Sequence, residues 1–118
     1  MDRPKLPHVD TSSFDAEVLR AAGPVVVDFS ATWCPPCRMM EPVLTGLAAE
    51  MADRVTVREL DVDENPDIRT RYGVLSMPTL MLFVDGEPVD RTVGFSGAGS
   101  VRRWIEDGLR TIAGAVSS

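Results

Sequence analysis

Val25-Val26-Val27-Asp28-Phe29 is an apolar run that does not alternate, interrupted by a single carboxylate and preceded by Gly23-Pro24. A strand solvated on one face alternates apolar and polar residues, so a continuous run predicts a strand covered on both faces, at the centre of a sheet. Its two faces must be covered, and the mixture of helices and strands along the chain suggests a sheet with helices on both sides, an α/β architecture. The rest of the pattern supplies them. Asp15 to Arg20 reads as a short helix capped by Ser12 or Ser13 and stopped at Gly23-Pro24. Residues 35 to 51 carry a helical pattern in Met39, Met40, Val43, Leu44, Leu47, Ala48 and Met51, with Pro42 predicting a kink inside one continuous helix. Val55 to Val62 reads as a strand and Asn65-Pro66 opens a short helix ending at Gly73. Thr79 to Val84 and Val89 to Val93 read as an antiparallel pair joined through Asp85-Gly86-Glu87-Pro88. A last helix, Ser100 to Ile112, buries Val101, Trp104, Ile105 and Leu109. The expected order is β-α-β-α-β-α-β-β-α, a central mixed β-sheet flanked by helices on both faces. One domain over residues 8–113 is expected, with a flexible arm over 1–7 and a frayed tail over 114–118.

The central run leads directly into Trp33-Cys34-Pro35-Pro36-Cys37, which holds both cysteines of the 118 residues. Positions i and i+3 share one face of a helix, so the pair can close a disulfide within a single turn. A tetrahedral metal site would need four Cys or His ligands, and the remaining supply is His8, which reads as a solvated residue of the N-terminal stretch. A structural staple would close a longer loop. Reversible dithiol chemistry is the reading these residues favour.

Eighteen acidic against twelve basic residues leave a net charge of −6, which argues against nucleic acid and anionic membranes as partners. No apolar run reaches the roughly twenty residues of a membrane span, and Met1 to Pro7 lacks the apolar stretch of a secretory signal. The expected location is cytoplasmic.

Several elements in order carry a family likeness: the Asp28-Phe29 strand end, Trp33-Cys34 with Cys37, Pro42, Tyr72-Gly73-Val74, Met77-Pro78-Thr79-Leu80, Phe83 with Gly86-Glu87, and Val93-Gly94. Over residues 9–112 the chain resembles the thioredoxin family. The resemblance implies a monomeric protein-disulfide reductase that binds no cofactor itself. Its Cys34–Cys37 disulfide would be recharged by NADPH through a separate, flavin-dependent thioredoxin reductase, and its substrates would be protein disulfides. Cys34, ahead of a helix start whose free N–H groups favour an anion, is the expected nucleophile, and Cys37 the less exposed resolving thiol. Asp28 is expected to help take the proton from the resolving thiol; the other reading has it end the strand and face solvent. The family's proline at Pro78 is cis and faces the dithiol, where the backbone of Met77 pairs with an extended peptide. Trp33 is expected to shield the nucleophile and offer contact surface, with Gly73, Val74, Gly94 and Phe95 around it, although a tryptophan there could equally be core. Pro35, Pro36 and Thr79 complete the expected substrate surface.

Four positions depart from the commonest family form. Pro35 stands for glycine, which stiffens the turn; the proline after it is expected to hold Pro35 extended, Cys37 remains the expected N–H donor to the Cys34 sulfur, and a somewhat more oxidising protein is expected. Glu59 stands for a lysine near the buried aspartate, which predicts a coupled Asp28–Glu59 pair with a raised pKa unless Glu59 turns outward. Ser30 stands for tryptophan and Arg38 for lysine. Two other functions remain open at this point: a thiol oxidant or disulfide isomerase, and a non-catalytic module that holds a partner in the groove around Trp33 and Met77.

Overall fold

A computed structural model describes residues 6–117. The doubly buried run forms β1 (Val25–Ser30), every residue of which is buried. Beside it lie β2 (Thr56–Asp61), β3 (Thr79–Val84) and β4 (Glu87–Val93), in the spatial order β2-β1-β3-β4. β1 runs parallel to β2 and antiparallel to β3, and β3 pairs antiparallel with β4, so the sheet is mixed as expected. The helices are α1 (Pro35–Glu50), α2 (Pro66–Arg71) and α3 (Ala98–Ser117).

Alternation along the strands sorts the core into two halves. Val25, Val27, Phe29, Leu60, Met81 and Phe83 point to one side, where they meet Phe14, Val18 and Ile68. Val26, Val57, Leu80 and Leu82 point to the other, against Met40, Leu44 and Leu47 of α1 and Val101 and Ile105 of α3. Pro42 lies inside α1, which continues through it as one helix. The β3–β4 connection is a two-residue turn in which Asp85 (φ 52°) and Gly86 (φ 81°) both take left-handed angles, the twist that suits a tight hairpin. Gly86 is also required for space, since a Cβ there would come within 2.9 Å of the Leu19 carbonyl oxygen.

Four local expectations are corrected. The first helical element is a single π-type turn, Asp15–Leu19, closed by Arg20 N–H donating to Asp15 O at 2.9 Å. Its start is organised by Asp10: the Asp10 carboxylate accepts from Ser13 N–H (2.9 Å) and from the Ser12 hydroxyl (2.6 Å), while Asp10 N–H donates to Ser13 Oγ. The leading strand of the expected order shrinks to one parallel bridge, His8 to Glu59, because Pro7 has no N–H to extend the ladder. Val9 N–H donates to Glu59 O (2.9 Å) and Glu59 N–H to Pro7 O (3.0 Å). Of the expected flexible arm, residues 1–5 lie outside the described residues, but Leu6 is buried in the core half that faces α1. At the other end α3 runs on to Ser117, past its expected end at Ile112, and Ser118 lies outside the described residues.

Candidate active site

Residue Cys34 caps the N-terminus of α1. Its backbone is extended (φ −96°, ψ 106°), the conformation favoured before a proline, and Pro35 occupies the first helical position. The extended residue is therefore Cys34, in place of Pro35, which tolerates helical angles because its own fixed φ already suits a helix start. Cys34 and Cys37 are joined as a disulfide with their Cα atoms 5.3 Å apart. The Cys37 N–H donates to Cys34 Sγ at 3.3 Å, the donor the sequence predicts. The two cysteines differ little in exposure, 3% and 2%, so the expected contrast in accessibility is absent from this disulfide form. Their asymmetry lies in bonding: the Cys34 sulfur sits over the open N–H end of α1, where negative charge is stabilised.

The opposing wall comes from the loop between α2 and β3. Gly73 (φ 62°) ends α2, with Gly73 N–H donating to Thr70 O and Val74 N–H to Arg69 O, a paired closure that fixes where the loop departs. Val74 is buried in the same core half as both cysteines, and Met77 packs against it half-buried. The Met77–Pro78 bond is cis, and the Met77 carbonyl oxygen lies 3.6 Å from Cys34 Sγ, a contact with a sulfur that carries no proton in the disulfide. Pro78 O accepts from Gly94 N–H (2.8 Å), and the buried Thr79 donates its hydroxyl to Ser76 O (2.6 Å), which ties the loop to the ends of β3 and β4. Trp33 is 62% exposed, with its indole N–H donating to Asp63 Oδ2 at 2.7 Å; the alternative that it belongs to the core is excluded.

The family-model comparison matches Thioredoxin over residues 5–107. The chain belongs to the thioredoxin family. Its sequence is 48% identical over 99 residues to the thioredoxin of Mycobacterium tuberculosis (strain ATCC 25618 / H37Rv), covering 84% of this chain and 85% of that one. It is 41% identical over 102 residues to the thioredoxin of Rickettsia bellii, covering 86% and 97%. It is also 46% identical over 99 residues to a bifunctional thioredoxin reductase/thioredoxin of Mycobacterium leprae, covering 84% of this chain and 22% of that larger protein. With the Cys34–Cys37 disulfide in place at the head of α1, this thioredoxin-family chain is a protein-disulfide oxidoreductase working by dithiol–disulfide exchange.

Around the thioredoxin dithiol the structure gathers Trp33, Pro35, Pro36, Val74, Met77 and Pro78. Pro35 and Pro36 are exposed beside Trp33, as are Gly73 and Gly94 at the loop ends. Phe95 packs, half-buried, against the core half built on α1 and α3.

Residue Asp28 lies in β1 at 0% exposure, which removes the reading that it faces solvent. Among the described residues neither of its carboxyl oxygens has a hydrogen-bond partner. Burial, then the negative charges of Glu59 and Glu41, push its pKa well above the ordinary carboxylate range. Asp28 and Glu59 are register neighbours on adjacent parallel strands, so both side chains point to the α1 side of the sheet. Glu59 does not turn outward; burial raises its pKa, the His8 imidazole pulls it down, and Glu41 and Asp61 push it up, for a net rise.

The residue that sequence reasoning misplaced is His8. Its Nε2 lies 2.7 Å from Glu59 Oε2, and its side chain, although 58% exposed, forms part of a cleft of about 240 Å³ together with Glu59, Ser30, Arg38, Glu41 and Asp61. The signal that would have found it is the pairing of Pro7–Val9 with Glu59, a contact across some fifty residues that periodicity does not encode. Among the described residues no group of three His, Cys, Asp or Glu side chains is placed to hold a metal ion, and no helix is long and apolar enough to cross a membrane.

Proposed function

We propose that the chain reduces disulfides in other proteins, with Cys34 as nucleophile and Cys37 as resolving thiol. The observation that carries this reading is the Cys34 sulfur at the N–H end of α1, 3.6 Å from the Met77 carbonyl beside cis Pro78. In the reduced protein the Cys34 thiolate is stabilised by the helix terminus and the Cys37 N–H, and attacks one sulfur of the substrate disulfide. The substrate segment lies extended along Met77 and pairs with its backbone, flanked by Trp33, Pro35, Pro36, Gly73, Val74, Thr79 and Gly94. Cys37 then loses its proton to Asp28 and attacks Cys34, and the reduced substrate leaves as a thiolate. Glu59 keeps Asp28 a strong enough base to hold that proton.

Electrons return through a flavin-dependent thioredoxin reductase that takes them from NADPH. The Mycobacterium leprae relative, in which a thioredoxin reductase and a thioredoxin share one chain, supports that pairing. The chain acts as a cytoplasmic monomer in electron transport to protein substrates, with no nucleic acid or membrane partner, in keeping with its net charge of −6.

The test is to trap the intermediate. Reduced Cys37→Ser incubated with a disulfide-bonded protein such as insulin is expected to accumulate a mixed disulfide through Cys34, while Cys34→Ser accumulates none and loses turnover. A Cys34→Ser protein that keeps its full effect on a partner would instead show a binding module. A reduction potential near about −270 mV fits a reductase, and one near about −180 mV fits an isomerase or oxidant.

A further inference from the structure

Three ionisable side chains lead from the core to solvent on the α1 side of the sheet. Asp28 is fully buried, the Glu59 side chain is 11% exposed, and the His8 side chain is 58% exposed. Asp28 and Glu59 are neighbours in the parallel register, and Glu59 Oε2 lies 2.7 Å from His8 Nε2. The histidine is held there by main chain: Val9 N–H to Glu59 O and Glu59 N–H to Pro7 O clamp the residues on either side of it to β2. This clamp does not use the imidazole, so replacing the side chain leaves the segment's main-chain anchorage in place.

We propose that His8 is a positioning residue of the proton-transfer site, acting through Glu59 to set how strongly Asp28 binds a proton. The inference rests on the reading of Asp28 as acceptor of the Cys37 proton. Histidine can gain or lose a proton near neutral pH. When His8 is charged it neutralises Glu59, and Asp28 feels little net charge from that side. When His8 is neutral the Glu59 carboxylate acts on Asp28 uncompensated, and Asp28 holds its proton more tightly. The other charged groups around the pair are Glu41 and Arg38 on α1, of opposite sign, and Asp61 on β2, all lining the same cleft. His8 is the member of that set that contacts Glu59, Nε2 to Oε2 at 2.7 Å. In the resolving step itself the Cys37 S–H bond breaks, its proton goes to Asp28, and the Cys37 sulfur bonds to Cys34. The Cys34–substrate bond breaks with its electron pair on the substrate sulfur, and His8 takes no part in the transfer itself.

The experiment is the carboxyl titration of Asp28 by carbon NMR, together with the pH profile of mixed-disulfide resolution, in full-length wild type, His8→Gln, Glu59→Gln and the double variant. His8→Gln is expected to raise the Asp28 midpoint by about one pH unit, a tenfold change in proton affinity. Glu59→Gln is expected to lower it, and His8→Gln to have no further effect once Glu59 is removed. The rate profiles should move in the same directions, and His8→Lys, which keeps a cation, should hold the midpoint low. An unmoved midpoint in His8→Gln, or a shift that persists in the Glu59→Gln background, would overturn the proposal. A resolving step as fast in Asp28→Asn as in wild type would sink the reading of Asp28 and with it the catalytic meaning of His8. A slow Asp28→Asn beside an unmoved His8→Gln would sink His8 alone.

Discussion

The two faces of β1 are equally buried and chemically unlike. On one, Val25, Val27 and Phe29 meet an aromatic group in which Phe14, Phe29, Tyr72 and Phe83 lie with ring centroids 5.2 to 6.4 Å apart, two pairs nearly perpendicular. On the other, Val26 and Asp28 face the aliphatic side chains of α1 and α3, and Asp28 has no hydrogen-bond partner there among the described residues. The first face is arranged as a stabilising core should be, with edge-to-face rings that add to area burial. The second carries an unsatisfied carboxyl at its centre, which costs free energy. A strand that could have been apolar on both sides gives up stability at one residue, level with the end of the sheet where the dithiol sits.

Three measurements would break or sharpen this contrast. Phe83→Ala removes a ring that touches both Phe14 and Tyr72, and is expected to cost about 3–5 kcal/mol in denaturant unfolding while the folded fraction keeps its exchange chemistry. A loss of activity beyond the unfolded fraction would erase the division of labour. Asp28→Asn is expected to stabilise the protein at neutral pH by about 1–3 kcal/mol and to slow the resolving step by about 10²-fold. The sign follows from the raised folded-state pKa of Asp28. Between the unfolded value, about 3.9, and the raised one, the folded state binds more protons, so wild type loses stability as pH rises through that window. The advantage of Asn should be absent near pH 3, grow with pH, and level off above the folded-state pKa; an advantage independent of pH would point to packing. The smallest effect is the coupling between the two changes. Phe83 and Asp28 lie on opposite faces and three register steps apart, so the double variant should be additive within about 0.5 kcal/mol.

The contrast also marks what the sequence could express. The non-alternating Val25–Phe29 run and the Asp85-Gly86 turn carry their structural meaning locally, one through apolar residues on both faces and the other through left-handed angles, and the strands formed there. Cys34, Cys37, Met77 and Pro78 were legible through the family likeness, which brings together segments some forty residues apart. The place of Glu59 followed from its strand. His8 was not legible, because its position depends on which edge of the sheet the N-terminal segment docks against, and a one-residue bridge leaves no periodic trace. The π-type turn at Asp15–Leu19 escaped for a similar reason: its helical residues look ordinary, and the turn that leads into it is organised by Asp10, further upstream than the pattern suggested.

Pinning residues 7–9 to β2 also changes what the sheet can do in a crowd. The carbonyls along the outer edge of β2 are all engaged: Val57 O accepts from the Arg58 guanidinium, Glu59 O from Val9 N–H, and Asp61 O from Asn65. Another chain seeking a strand to extend would find that side occupied. It would be left with β4, where Glu87, Pro88, Asp90 and Arg91 present charge and a missing donor to any newcomer. The short N-terminal clamp that brings His8 to Glu59 thus also closes one of the two edges from which aggregation by strand addition could begin.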